Sequence, residues 1–498
     1  MTMGFAQYDE YDGLGLAHLV RRGEVSPLEL VDETISRIEK HNPTLNAVVY
    51  KAYDQARATA KGKLPDGPFK GVPFLIKDIG VAVEGWPMTS GSAYLRNYVS
   101  SQDSVLTKRY RNAGVVLVGK TNTPEFGIPG TTEGRHLGIC RNPWNPDHSS
   151  GGSSGGAASA VASGMVAMAH GSDGLGSIRI PAAQCGLVGM KPTQYRNPGG
   201  PDDRARAHGF VVDHVLTRTV RDSAAMLDWT GWPEDDAPYA PVPKAGLYMD
   251  EIKRAPGKLK IGLYTDVPKG IQPHPEIQAV FDATAKTLEE LGHTLIVKKD
   301  LPIDWRKLYR AQAAVSGAMF VASVDDWKEV IGHEPEPDDF EPLAWASYKG
   351  AMKLTPSIVG TGLQNLRLIS RQILALWREF DVLLSPVTLT PPPPIGLLDP
   401  VNVAPREFNR RQAQVFGYTP PYNMTGQPSL SLPMGMSSDG LPIGMMFTGR
   451  YSDEATLYRL AAQLEEARPW HERKPMVWGQ RMLKAPASRH MHGGIAAP

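Results

Sequence analysis

The run Ser149-Ser-Gly-Gly-Ser-Ser-Gly-Gly-Ala-Ala-Ser-Ala160 limits what this chain can fold into more than any other segment. Composition alone would allow a flexible linker. However, the run leads directly into Val161–His170, an apolar, Ala-rich stretch in which a linker has no place. The physical reading is a Gly/Ser loop feeding a helix N-terminus, where backbone N–H groups and the positive end of the helix dipole stand unpaired. No Gly-Lys-Ser/Thr follows, so the run does not read as a P-loop.

A second segment, Gly171-Ser-Asp-Gly-Leu-Gly-Ser-Ile-Arg-Ile-Pro-Ala182, has a glycine immediately before Ser177. That glycine lets backbone amides crowd a reacting carbonyl. Successive N–H groups of Gly174, Leu175, Gly176 and Ser177 then form a candidate oxyanion hole, each donor typically worth ~3–4 kcal/mol in a transition state. Taken alone, the segment is equally a plain turn before a buried strand. The third feature is Lys77, set among Val72, Phe74, Leu75 and Ile76. A lysine in such a strand costs desolvation energy unless it is paired or neutral. Burial lowers a lysine pKa, by up to ~3–5 units when complete, and a neutral amine is a competent general base. A buried ion pair with Asp173 or another carboxylate is the equal alternative.

Around these segments the chain alternates strands and helices. Leu14, Leu16, Leu19 and Val20 up to a Gly23 stop, then Ser26-Pro27 leading into Leu30, Val31, Ile35 and Ile38, predict a surface helical hairpin over 14–40. Strands are predicted at 71–83, 115–120, 258–264, 294–298, from Asp381, and twice between Ser429 and Phe447 around a Ser437–Gly440 turn. Helices are predicted at 275–292 and 453–467. This pattern implies an α/β class with a mostly parallel or mixed sheet. Residues 195–217 and 388–422 read as irregular, the latter with four consecutive prolines at 391–394, and long irregular stretches of this kind are often lids or binding loops. Residues 485–498 read as a disordered tail.

Charge excludes some functions. With 53 basic and 52 acidic residues the formal net charge is +1, and neither nucleic acid nor an anionic membrane surface is favoured as a partner. Two cysteines, Cys140 and Cys185, cannot staple 498 residues, which fits a reducing compartment. The N-terminal sequence lacks an apolar core of the secretory type, and no run of about 18 apolar residues occurs. A cytoplasmic enzyme without metal or other cofactor is expected.

Together the three segments resemble the amidase signature family. Gly71-Val-Pro-Phe-Leu-Ile-Lys-Asp78, Gly151-Gly-Ser-Ser-Gly-Gly156 and Asp173-Gly-Leu-Gly-Ser-Ile-Arg-Ile-Pro181 match its motifs, as do Gly119–Phe126, Arg141–Asn145, Gly186–Thr193 and Gly426-Gln-Pro428. The resemblance implies one large domain over residues 1–484, with a central mixed β-sheet flanked by helices on both faces. It implies Ser177 as nucleophile, Ser153 as a bridging serine in a cis peptide, and Lys77 as base. It places Ser154, Asp173 and Arg179 in support, and the Met88–Ser92 loop near the site. The expected reaction is cleavage of a small, largely apolar amide through an acyl-enzyme. Many members carry two glycines before the nucleophile; here Leu175 replaces the first, as in the nylon-oligomer subgroup, so a cyclic or linear 6-aminohexanoate oligoamide is the leading substrate expectation. Aryl acylamides and carbamates are alternatives on the same triad. So are a glutamine-using amidotransferase subunit, a Ser-His-Asp hydrolase with Ser153 as nucleophile, and a non-catalytic binding protein. Tyr195, Trp345, Phe416 and Tyr418 are candidate pocket residues, with core packing as the competing role of each. A homodimer is left open.

Overall fold

The computed structural model describes residues 5–482 except 202–208, 235–236, 238, 240–241, 265–270, 299–300, 302 and 480; the tail read as disordered lies outside the described residues. Eleven strands build one sheet: β1 (Val48–Lys51), β2 (Pro73–Lys77), β3 (Val116–Thr121), β4 (Met168–Asp173), β5 (Val188–Lys191), β6 (Val212–Thr217), β7 (Lys260–Leu263), β8 (Thr294–Val297), β9 (Val382–Pro386), β10 (Ser429–Met436) and β11 (Pro442–Thr448). Their order across the sheet is β1-β3-β2-β4-β6-β5-β10-β11-β9-β7-β8. β2 runs parallel to β3 and β4, and β7 runs parallel to β8 and β9, while the remaining pairs are antiparallel. The sheet is therefore mixed, as the alternation of elements implies.

Successive side chains of a strand face opposite sides of a sheet, and both sides are buried here. On β2, Leu75 packs into one apolar cluster with the helices Pro27–Leu45 and Gly155–Ala162, while Phe74 and Ile76 pack into another with Leu16, Leu106 and Tyr110. On β9, Leu383 faces the helices Trp305–Ile331 and Pro356–Ala375, while Val382 and Leu384 face the helices Pro275–Glu290 and Glu454–Ala467. Helices cover both faces, and the core is two layers of aliphatic and aromatic side chains with the sheet between them.

The predicted hairpin forms as Gly13–Arg22 and Pro27–Leu45, with Gly23 in the left-handed conformation and Ser26 in a reciprocal capping box with Glu29. Its inner faces, through Leu16, Ala17, Leu30 and Ile38, belong to the core rather than to the surface. Three other expectations need correction. The strand expected over 71–83 ends at Lys77, because the chain turns away through Gly80 at φ 78°. The segment 195–217 contains β6, whose six residues are all buried. The segment 388–422 contains the helix Pro405–Val415, and its proline run is pinned by Ser149 N–H donating to the Pro393 carbonyl at 2.9 Å.

Candidate active site

Lys77 is the last residue of β2, and its side chain is fully buried. The Nζ donates to three hydroxyls: Ser153 Oγ at 2.7 Å, Ser154 Oγ at 2.9 Å and Ser172 Oγ at 3.0 Å. It makes no ion pair among the described residues, so the buried-pair alternative is not what forms. Burial pushes its pKa down to about 7, against the partial opposition of the Asp213 and Asp173 carboxylates. Asp78, the next residue, is held by the buried Lys120 ammonium at 3.1 Å and by Thr89 of the Met88–Ser92 loop, which fixes where β2 ends.

The Gly/Ser run does feed a helix, Gly155–Ala162, which starts directly after Ser154. The Gly152–Ser153 peptide is cis. Ser153 is 3% exposed, and the turn Glu125–Gly127 closes over it: a Cβ on Gly127 would stand 3.0 Å from its Oγ. The Ser154 N–H donates to the Ser177 carbonyl at 3.3 Å, which joins the two serine loops.

Ser177 lies between β4 and the helix Arg179–Cys185. Unlike Lys77 and Ser153 it is partly exposed, as are Gly174 and Leu175. The loop is tied by Asp173. Its carboxylate accepts from Gly176 N–H at 2.7 Å, Ile178 N–H at 3.2 Å, Arg179 Nε at 2.9 Å and Arg179 NH2 at 2.9 Å. Burial opposes ionisation of Asp173, but the Arg179 guanidinium and Asn423 outweigh it and hold the carboxyl well below the usual range. Arg179 also donates to the Thr419 carbonyl at 2.9 Å and Asn423 Oδ1 at 2.6 Å, and Asn423 donates back to the Asp173 carbonyl at 2.9 Å. Gly176 has φ 132°, and a Cβ there would sit 2.4 Å from Thr419 Oγ1, so only glycine fits. Because the Gly176 amide is engaged by Asp173, the candidate oxyanion donors reduce to Gly174, Leu175 and Ser177. The Leu175 carbonyl accepts from Thr419 Oγ1, so the Leu175–Gly176 peptide group is held at both its carbonyl and its N–H.

Sequence reasoning did not single out Ser172, Thr419 or Asn423. Ser172 had a signal, being a hydroxyl immediately before the nucleophile motif. The other two lie far downstream, Thr419 inside the segment 388–422 read as a lid or binding loop and Asn423 just beyond it, and neither was distinguished there from its polar neighbours. The four candidate pocket residues divide. Phe416 and Tyr418 lie just before Thr419, with Phe416 over Gly130 and Tyr418 buried edge-on to Tyr264 at 6.2 Å. Trp345 packs with Phe340 and Tyr348. Tyr195 stacks on Tyr239 at 5.2 Å, beside a cavity of about 120 Å³ that no triad residue lines.

A family model described as Amidase matches residues 29–458. The chain belongs to the amidase family. This amidase is 36% identical over 477 residues, 94% of its length and 96% of the relative's, to the 6-aminohexanoate-cyclic-dimer hydrolase of Paenarthrobacter ureafaciens. Its fold matches a solved 6-aminohexanoate cyclic dimer hydrolase complexed with substrate at TM-score 0.88 and 35% identity, covering 94% of this chain and 99% of that one. A bacterial aryl acylamidase of the amidase signature enzymes matches at TM-score 0.83 and 29% identity, covering 92% and 96%. The amidase is thus an amidohydrolase, with the α/β single-domain architecture of these enzymes. No helix among its described residues is long and apolar enough to cross a membrane.

Proposed function

We propose that this amidase cleaves the C–N bond of a small, largely apolar amide through an acyl-enzyme on Ser177. The observation that carries this reading is the Lys77 amine: fully buried, free of ion pairs among the described residues, and hydrogen-bonded to Ser153 Oγ at 2.7 Å. Neutral Lys77 takes the Ser153 proton as Ser153 takes that of Ser177, and the Ser177 oxygen attacks the amide carbonyl. The oxyanion forms against the amides of Gly174, Leu175 and Ser177. The proton returns through Ser153 to the leaving nitrogen, the C–N bond breaks, and water then hydrolyses the ester by the same relay.

Substrate class rests on two supports. Leu175, Phe126 and Phe416 are partly exposed apolar side chains in segments that touch the triad or its loops. The relatives named above act on a 6-aminohexanoate cyclic dimer or on aryl acylamides. A cyclic or linear 6-aminohexanoate oligoamide is the first substrate class, and an aryl acylamide is the second. The span from β1 to β11 within one sheet supports a single catalytic domain over residues 1–484.

Intact-mass labelling with phenylmethylsulfonyl fluoride, followed by peptide mapping, tests the reading. One adduct on Ser177 is expected, lost in Ser177→Ala and slowed about 10²-fold or more in Lys77→Ala. An adduct on Ser153 would replace it with a nucleophile-elbow mechanism. Amine release from the 6-aminohexanoate cyclic dimer and from 4-nitroacetanilide then ranks the two substrate classes. Since the neutral lysine is the active form, kcat/KM should rise with pH through about 7.

A further inference from the structure

Strand β2 is hydrogen-bonded differently on its two sides at Lys77. Towards β3 the ladder continues: Lys77 pairs with Thr121, and the Asp78 N–H donates to the Thr121 carbonyl at 3.2 Å. Towards β4 the register consists of the single pair Leu75 and Ala169. Beyond it no further pair of these two strands forms among the described residues. The Lys77 N–H, which points to that side, finds a side chain in place of a strand carbonyl. It donates to His170 Nδ1 at 3.2 Å. A buried N–H left without an acceptor would cost as much as a lost hydrogen bond, so the imidazole replaces the missing rung.

An accepting Nδ1 fixes the tautomer. The ring proton must sit on Nε2, and Nε2 lies 2.9 Å from Asp213 Oδ1, to which it donates. Asp213 stands on β6 directly opposite Ser172, the third hydroxyl on Lys77. Both residues are buried, His170 completely and Asp213 to 3% exposure. One strand pair therefore carries a side chain that holds the lysine backbone, a hydroxyl that holds its amine, and the carboxylate that orients the ring. We infer that His170, oriented by Asp213, is a positioning residue for Lys77: it fixes the strand end from which Nζ reaches Ser153, Ser154 and Ser172. The inference rests on the reading of Lys77 as the base.

Lys77 is faced by the Asp213 and Asp173 carboxylates, both of which favour its ammonium form. His170 is faced by Asp213, by the Tyr110 ring at 6.0 Å and by His214 on the paired strand. Burial holds His214 down to about 3, so it contributes no positive charge at neutral pH.

Three variants separate positioning from mere packing: His170→Leu removes the acceptor, His170→Asn restores one near the Nδ1 position, and Asp213→Asn keeps an acceptor for Nε2–H but removes the charge. The readout is the rate of Ser177 sulfonylation by phenylmethylsulfonyl fluoride across pH 5–10 (the window spanning about 7), with melting temperature measured beside it. His170→Leu should slow labelling about 10–100-fold, the effect of roughly 1 Å of misplacement, and His170→Asn should recover most of that loss. Asp213→Asn should move the midpoint of the rate–pH curve down by about one unit, because an anion that favoured the ammonium is gone. Wild-type rates in His170→Leu, or His170→Asn no better than His170→Leu, would overturn the inference. If His170→Leu does not fold, His170→Ala, which also removes the acceptor, takes its place, and labelling at the wild-type rate there overturns the inference. Lys77→Ala is the control: labelling at the wild-type rate there would remove the base itself, an outcome distinct from failure of the positioning claim.

Discussion

Two buried carboxyl groups flank the site, and they solve burial in opposite ways. Asp173, under the nucleophile loop, has a guanidinium against both oxygens and stays ionised. Glu125, in the turn that closes over Ser153, makes no ion pair among the described residues, Arg135 acting on it only at longer range. Its oxygens meet the Ser92 hydroxyl at 2.6 Å and the N–H of Glu341 at 2.7 Å, just before the helix Pro342–Ala351. Burial pushes Glu125 up to about 8, with Glu341 itself a further carboxylate nearby. The nucleophile loop is thus held by an ion pair that persists across the working pH range. The turn over the bridging serine is held to the outer helices by a group that is neutral at pH 7. Rigid anchoring is concentrated where the oxyanion donors need fixed positions, and the softer attachment lies on the other side.

Breaking the ion pair should have the largest effect. Arg179→Met leaves Asp173 charged and unpaired in the core, and a loss of about 3–5 kcal/mol is expected from urea unfolding followed by circular dichroism. Gly176→Ala tests the same loop by shape. Its Cβ would collide with Thr419 at a positive φ, so a loss of about 1–3 kcal/mol is expected, with slower labelling of Ser177. On the other side, Glu125→Ala removes the near acceptor of the Ser92 hydroxyl and leaves the Glu341 N–H without one, and should cost about 1–3 kcal/mol, whereas Glu125→Gln should stay within about 1 kcal/mol at pH 7.

The smallest and sharpest test is the pH dependence of stability. A carboxyl raised from 4.5 to about 8 on folding contributes stability that is fully present below 4.5 and is lost as pH rises towards 8. Glu125 therefore tilts the wild-type melting temperature downward over that window, against the upward tilt of His214, which burial lowers to about 3, and Glu125→Gln should flatten the downward part. Flattening will be partial, because burial also raises Glu133 to about 7 and Asp222 to about 8. Asp173 has the opposite sign: its contribution is present above its ordinary value of 3.8 and is lost only as pH falls through its depressed one. A Glu125→Gln melting curve that keeps the full wild-type slope would erase the contrast.

The sequence made some of this arrangement visible and concealed the rest for physical reasons. Lys77, Ser153, Ser154, Asp173, Ser177 and Arg179 lie in three short segments whose glycines and stranded charge signal special backbone and burial. Their partners Thr419 and Asn423 lie 240 and 244 positions beyond Arg179, at and just past the end of the stretch 388–422 that reads as an irregular lid or binding loop, with nothing local to tie them to Arg179. β6 was concealed by its own chemistry. Its six positions are all buried, yet Asp213, His214 and Thr217 are polar, so neither alternation nor an apolar run marks it. The helices Trp305–Ile331, Pro342–Ala351 and Pro356–Ala375 were not assigned either. Many residues of the first are only half-buried, which blurs its apolar stripe.

The seam between β5 and β10 has a consequence for how the chain comes together. Ser429 lies beside Lys191 and Ser431 beside Gly189, so the middle of the sheet joins the first half of the chain to its last quarter. Contacts between such distant residues form slowly, because the intervening chain must first be confined. Until β10 arrives, β5 is an apolar edge with unpaired backbone groups, a template for any other strand that meets it. A polypeptide emerging from the ribosome thus carries every member of its triad well before it can protect the strand at its centre.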